Sequence, residues 1–164
     1  VEMNSGSASV YRTYGNVGSL PTFGVAADFV HNEDLSIDAV SYGADFIFRQ
    51  YGLALLGEYR VQQLAPTNSD IADPGVLSET KREGYLLQAG YTHKDYEFAV
   101  RYDYFDDNKD LDNAGDVSQF LVGCTWHARE DHFRIGGGYQ MRIEREATAT
   151  IENDTARIWI QIRQ

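Results

Sequence analysis

Eight arginines fall on alternate positions within alternating stretches of this 164-residue chain: Arg49, Arg60, Arg82, Arg101, Arg134, Arg142, Arg157 and Arg163. Six acids share their side: Asp28, Asp45, Glu58, Glu97, Asp103 and Glu144. A guanidinium is a planar fork that can hold two oxygens of one anion. Rings of arginine along a water-filled passage favour anions over cations. With eight bases against six acids, two readings stay open. One is a mildly cationic wall that selects anions. The other, favoured by the near-equal counts, is a lumen network in which the charges neutralise one another across strands. These residues alone do not argue for phosphate.

The elements that carry them are strands. Residues 96–105 alternate Tyr96, Phe98, Val100, Tyr102 and Tyr104 with Glu97, Ala99, Arg101 and Asp103. Successive side chains of a strand point to opposite faces, so this stretch has an aromatic side and an ionic side. The pattern returns over residues 22–31, 37–49, 51–63, 82–93, 117–127, 132–145 and 155–164. A weaker ninth segment lies in residues 2–13. These stretches run to about ten residues or more, where ordinary strands have about five or six and a tilted membrane crossing needs about 9–11. Tight turns are expected at Gln50, at Lys94-Asp95 and over residues 128–131. Long polar loops are expected over residues 64–81, 106–116 and 146–154. Short turns on one side and long loops on the other are the outer-membrane barrel arrangement. It puts the long loops outside the cell and the short turns and Gln164 in the periplasm.

Composition agrees with an all-β chain. There are 11 Tyr, 8 Phe and only 3 Pro among the residues. Aromatic residues favour strands. Mean hydropathy is −0.43, which does not oppose a barrel, because a barrel strand shows only every second residue to lipid. A net charge of −11 with no basic stripe excludes a general nucleic-acid binder. The single cysteine, Cys124, excludes an internal disulfide and a multi-cysteine metal site. The chain begins without Met or a signal region, and residues 1–14 read as a strand in progress. Either a signal peptide has been removed or the chain is a fragment of a longer one; the strand in progress favours the fragment, forming one barrel unit over residues 1–164.

Which face meets lipid follows from size. A soluble eight-stranded barrel would turn the apolar face inward, where it has little room for Phe98, Trp126, Phe133 and Tyr139. A two-sheet sandwich can absorb them and is the soluble rival. Tyrosines at strand ends, such as Tyr42, Tyr59, Tyr85 and Tyr96, match the aromatic girdles of membrane barrels.

From Gly43 onward the chain resembles the C-terminal half of the phosphate-selective porin (porin O and P) family. The stretches that carry the likeness are Gly43-Ala-Asp-Phe46, Leu55-Leu-Gly-Glu-Tyr59, Gly84-Tyr-Leu-Leu-Gln-Ala-Gly-Tyr91, residues 96–104 and Val122-Gly-Cys-Thr-Trp126. The resemblance implies an antiparallel transmembrane β-barrel in the bacterial outer membrane, about eight of its sixteen strands being present. It also implies a homotrimer and a passive water-filled channel for small hydrophilic solutes, including anions such as phosphate. Partners would be the bilayer, lipopolysaccharide and ions in transit. The pore-lining residues would be the eight arginines with Asp45, Glu58, Glu97 and Asp103. One departure is plain: the outward frame ends Ile158, Ile160, Ile162, Gln164, where such barrels usually close on an aromatic. The alternative is a complete small barrel with a plugged polar interior and a structural or adhesive role.

No catalysis, cofactor or metal is expected. Asp106, Asp107, Asp110, Asp112 and Asp116 do not match the spacing of a calcium loop and read as a solvated loop. His127 and His132 flank a turn without a third ligand. Gly136-Gly-Gly138 opens no helix, so it is no phosphate loop. Cys124 is expected on the lipid side.

Overall fold

A computed structural model describes residues 21–33, 37–67, 79–110, 115–128, 133–146 and 149–162. The weak segment 2–13, His132, Asp112, Arg163 and Gln164 lie outside the described residues. Nine strands run in chain order: β1 (Thr22–Glu33), β2 (Ile37–Gln50), β3 (Leu53–Pro66), β4 (Thr80–His93), β5 (Tyr96–Asp106), β6 (Val117–Ala128), β7 (Phe133–Glu146), β8 (Ala149–Glu152) and β9 (Thr155–Ile162). All belong to one antiparallel meander, each strand pairing with the next, except that β7 pairs with both β8 and β9. The described sheet is open. β1 lies at one edge and β9 at the other.

β8 and β9 are one chain pass. Ile143 faces Glu152 and Gln140 faces Thr155, so the register is the same on both sides of the break. Between them the Asn153 amide still donates to the Arg142 carbonyl at 2.8 Å. The sheet therefore consists of eight passes. The long loop expected over residues 146–154 is corrected: Glu146 pairs with Ala149, and only residues 147–148 connect the strands. The turn expected at Gln50 lies one step on, at Tyr51-Gly52, with φ of 48° and 82°. Two positive φ values are the requirement of the hairpin turn whose twist matches its strands. Gly52 is needed there for space as well, since a Cβ would stand 2.4 Å from the Thr92 carbonyl oxygen.

Register fixes the faces. Phe48, Leu55, Ala89, Val100, Val122, Tyr139 and Ala156 form one continuous row across β2 to β9. The adjacent row on the other face is Ile47, Leu56, Gln88, Arg101, Leu121, Gln140 and Thr155. Because the side-chain period is two, no pass is slipped relative to its neighbours.

The short turns are staggered. Leu53, beside the first turn, pairs with Tyr91, which is two residues short of the closing pair His93–Tyr96. Tyr96 pairs with Trp126, again two residues short of the closing pair Ala128–Phe133. The sheet thus shifts two residues for every two strands. One residue, about 3.4 Å, per strand spacing of about 4.8 Å corresponds to strands inclined about 35° to the normal of the line of turns. That is within the tilt of roughly 35–45° at which membrane barrels are built.

Candidate functional site

The apolar face has nothing on it. Phe98, Val100, Leu87 and Tyr91 on the central strands are 45–53% exposed, and no large side chain is fully buried among the described residues. Nearly every large exposed hydrophobic of β2 to β7 belongs to this one face. A soluble sheet hides its apolar face against a core. Contiguous exposed apolar surface of this extent marks a contact with lipid or protein. Cys124 sits on this face, opposite Phe98 and Gly137.

The other face carries the ionic residues, and the structure places the expected set there. Arg49, Arg60, Arg82, Arg101, Arg134, Arg142 and Arg157 all share the parity of Gln88 and Gln140, as do Asp45, Glu58, Glu97 and Asp103. Arg163 lies outside the described residues.

These groups are joined differently from the expected cross-strand network. Arg101 Nε donates to both oxygens of Asp103, at 2.7 and 2.8 Å. Arg142 Nε lies 2.6 Å from Glu144, and Arg60 Nε donates to Glu58 at 2.5 Å. Each of these pairs joins residues two apart on one strand, where side chains leave the same face side by side. One bridge does cross strands: Arg60 reaches Asp28 at 3.0 Å, from β3 to β1. It passes over Gly43 of β2, where a Cβ would come within 3.2 Å of both the Arg60 side chain and the Asp28 carboxylate. These pairs are partly solvated, so each contributes on the order of 0–1 kcal/mol.

Arg49, Arg82, Arg157 and Asp45 form no ion pair among the described residues. The Nε groups of Arg49 and Arg82 also lack a hydrogen-bond partner. Arg60 holds two carboxylates, and seven arginines stand against six acids among the described members of this set, so the face is close to balanced and only slightly cationic, although the chain as a whole is acidic.

At the short-turn end the ionic face closes up. Glu97 and Arg134 are only 8% and 7% exposed, and His127 meets Glu97 at 3.3 Å. The His127 amide donates to the Asp95 carbonyl at 2.7 Å, tying this cluster to the second turn. Beside it Trp159 lies flat on Gly136, where an added Cβ would be 2.4 Å from the ring. Glycine 136 is therefore a seat for an aromatic ring. Glu97 and Arg134 are packed, whereas Arg101 stands mid-strand, Arg82 lies toward the long loops, and Arg49 sits beside the first short turn. Nothing in the sequence singled out this cluster, because Trp159 reads as one more inward residue near the end of the chain.

Beyond the strands, Asp106 accepts from the Tyr104 hydroxyl at 3.3 Å and the Asn108 amide at 3.0 Å. Carboxylate oxygens of Asp106, Asp107 and Asp116 lie within 4.8 Å of one another, the usual look of an acidic turn. Lys109 pairs with Glu83, which holds its ammonium above the ordinary lysine value. Of the two histidines weighed as a pair, His127 is engaged by Glu97.

Fold and faces define an all-β antiparallel meander with one bare apolar face and one ionic face. No known protein family, no curated protein and no solved structure matches the chain.

Proposed function

We propose that the chain forms part of the wall of an outer-membrane β-barrel channel, a passive water-filled route for small hydrophilic solutes with a leaning toward anions. The observation that carries this reading is the apolar face, exposed across every strand. In lipid, every backbone polar group must be paired within the structure, which leaves helices and closed barrels as spanning forms. A meander of long strands with the strand inclination found here suits the second. The ionic face then lines the lumen, where Arg49, Arg82 and Arg157 have no carboxylate partner among the described residues and spread positive charge from the turn end to the loop end, and basic side chains along a lumen favour anions. Among the described residues β1 and β9 have no further partner on their outer sides, which fits a wall that other strands complete, since exposed edges invite pairing or aggregation. The likeness to phosphate-selective porins points the same way, and with it a trimer and contact with lipopolysaccharide. Phosphate as the particular solute finds no dedicated site among these residues.

Leu87 and Gln88 test the lumen directly. They are neighbours on β4, on opposite faces, and neither takes part in an ion pair. With Cys124→Ala as background and the protein folded into vesicles, Gln88→Cys is expected to react with a water-soluble, membrane-impermeant thiol reagent at a rate at least tenfold above Leu87→Cys. Equal protection of both would mean a plugged interior. Faster reaction of Leu87→Cys would mean that the apolar face is in water, and the membrane assignment would fail.

A further inference from the structure

The geometry points to a bilayer partner of defined thickness: a hydrocarbon layer of about 22 Å with Val100 at its midplane and the strands inclined about 35° to the normal. This rests on the reading of the apolar face as lipid-facing, and it concerns how deep each residue of that face sits.

Because the sheet shifts one residue per strand, positions at equal height are found by stepping one residue toward the short turns for each strand crossed from β1 toward β9. On that scale Tyr42, Tyr59, Tyr85, Tyr104 and Tyr139 fall within two residue steps of one another, although they come from three different row positions. They make one belt, on the side of the long loops. Tyr91, Tyr96, Trp126 and Phe133 fall within one step of one another and make a second belt, on the side of the short turns. One pair of rings is in contact in each belt: Tyr85 lies 5.2 Å from Tyr104, and Trp126 meets Phe133 edge-on at 6.4 Å, centroid to centroid.

The charges of this face obey the same two levels. Glu83, Asp106, Arg145 and Asp154 all lie past the loop-side belt. His93 lies past the turn-side belt. No charged side chain of the apolar face falls between the belts among the described residues. Tyr139 and Asp154 mark the boundary in one contact, the phenol donating to the carboxylate at 2.5 Å. Amphipathic rings favour the headgroup level, where the body meets lipid and the hydroxyl meets water. A strand-by-strand accident would scatter charges through the band. Their sorting by height, once the inclination is included, is what a lipid slab imposes.

β5 carries a member of each belt, Tyr96 and Tyr104. Eight residue steps span about 27 Å along the strand and about 22 Å along the normal. The average hydrocarbon core is about 30 Å, whereas the apolar band of outer-membrane barrels is about 25 Å tall and the bacterial outer membrane is thinner than average. Val100 is equidistant from both belts. Cys124 lies a single residue step from the same height, which makes the only cysteine of the chain a natural depth probe.

The test is collision-based depth measurement with nitroxides in dilauroyl phosphatidylcholine vesicles, comparing oxygen with a nickel chelate. Labels go on native Cys124 and, in Cys124→Ala background, on Val100→Cys, Tyr96→Cys and Tyr104→Cys. Expected are the greatest depth at Val100, Cys124 within about 3 Å of it, and Tyr96 and Tyr104 equally shallow, each about 11 Å nearer a surface. Unequal depths at Tyr96 and Tyr104, or a deepest point at Cys124 well below Val100, would overturn the thickness and midplane while leaving the membrane reading in place. Free access of the nickel chelate to all four would overturn the membrane reading itself. Exclusion of both quenchers from all four would show the face covered by protein, which overturns both.

Discussion

Val100→Arg is expected to cost about 2–4 kcal/mol of folding stability in a bilayer, the range for a cation on the lipid face at mid-depth. Val100 is 45% exposed and has Ala89 and Val122 as its row neighbours, none of which can pair with a guanidinium. Arginine there must snorkel about 11 Å to the surface or thin the bilayer locally. The comparison that gives the number meaning is Gln88→Arg, at similar height on the opposite face. There the guanidinium joins the ionic face with Arg101 as its row partner, and the change is expected to stay within about 1 kcal/mol. Urea titration of both variants in vesicles, read by the folded band on unheated gels, supplies the two values. Equal losses at residues 88 and 100 would contradict the assignment of faces, and so would a larger loss at residue 88.

Glu97→Ala is the second large effect, expected at about 2–3 kcal/mol, the cost of leaving a buried partner of a charged hydrogen-bonding group unsatisfied. The Glu97 side chain is 9% exposed and its partner His127 16%, with Arg134 buried in the same corner. Removing the carboxylate takes away His127's acceptor in a place water scarcely reaches. Glu97→Gln keeps an acceptor for His127 and is expected to lose distinctly less. Glu58→Ala is the contrasting case: its contact with Arg60 is more than a third exposed on both sides, so the loss should remain below about 1 kcal/mol. The same urea titration ranks all three. If Glu58→Ala proved as costly as Glu97→Ala, the division of the ionic face into a packed end and an open part would be wrong.

Faces were legible in the sequence because they rest on one repeating property. The alternation Tyr96, Phe98, Val100, Tyr102, Tyr104 needs no knowledge of the neighbours, and each other pass repeats it in the same sense. The described register joins those passes without a slip, so each outward frame read from the sequence meets the next one. Residues 147–154 show where this kind of reading fails. Thr150 and Ile151 are good strand formers, but Asn153 and Asp154 are turn formers by habit, and together they mimic a polar loop. In the folded chain β7 supplies the partner, and the Asn153 amide stays in the ladder. Tertiary pairing overrode local preference.

The Tyr51-Gly52 turn was displaced for a similar reason. An aromatic at Tyr51 continues the strand pattern, whereas a left-handed φ at a tyrosine is an outcome of hairpin geometry rather than of residue type. The ionic face was legible as a set and not as a wiring diagram. Alternation places Arg101 and Asp103 on one side, but only side-chain reach decides that Arg101 closes on its own strand instead of on a neighbour. Burial of Glu97 and Arg134 was out of reach altogether, because it depends on how the strands bring this end of the ionic face together and not on residue type.

The account joins these features in one claim: apolar side to lipid, ionic side to an aqueous passage. Planar-bilayer recording of the full-length gene product across a salt gradient tests it most directly. The account predicts stepwise conductance with a reversal potential of the sign for anion preference, reduced when Arg49 and Arg82 are replaced by glutamine. A protein that inserts and carries no current would contradict it.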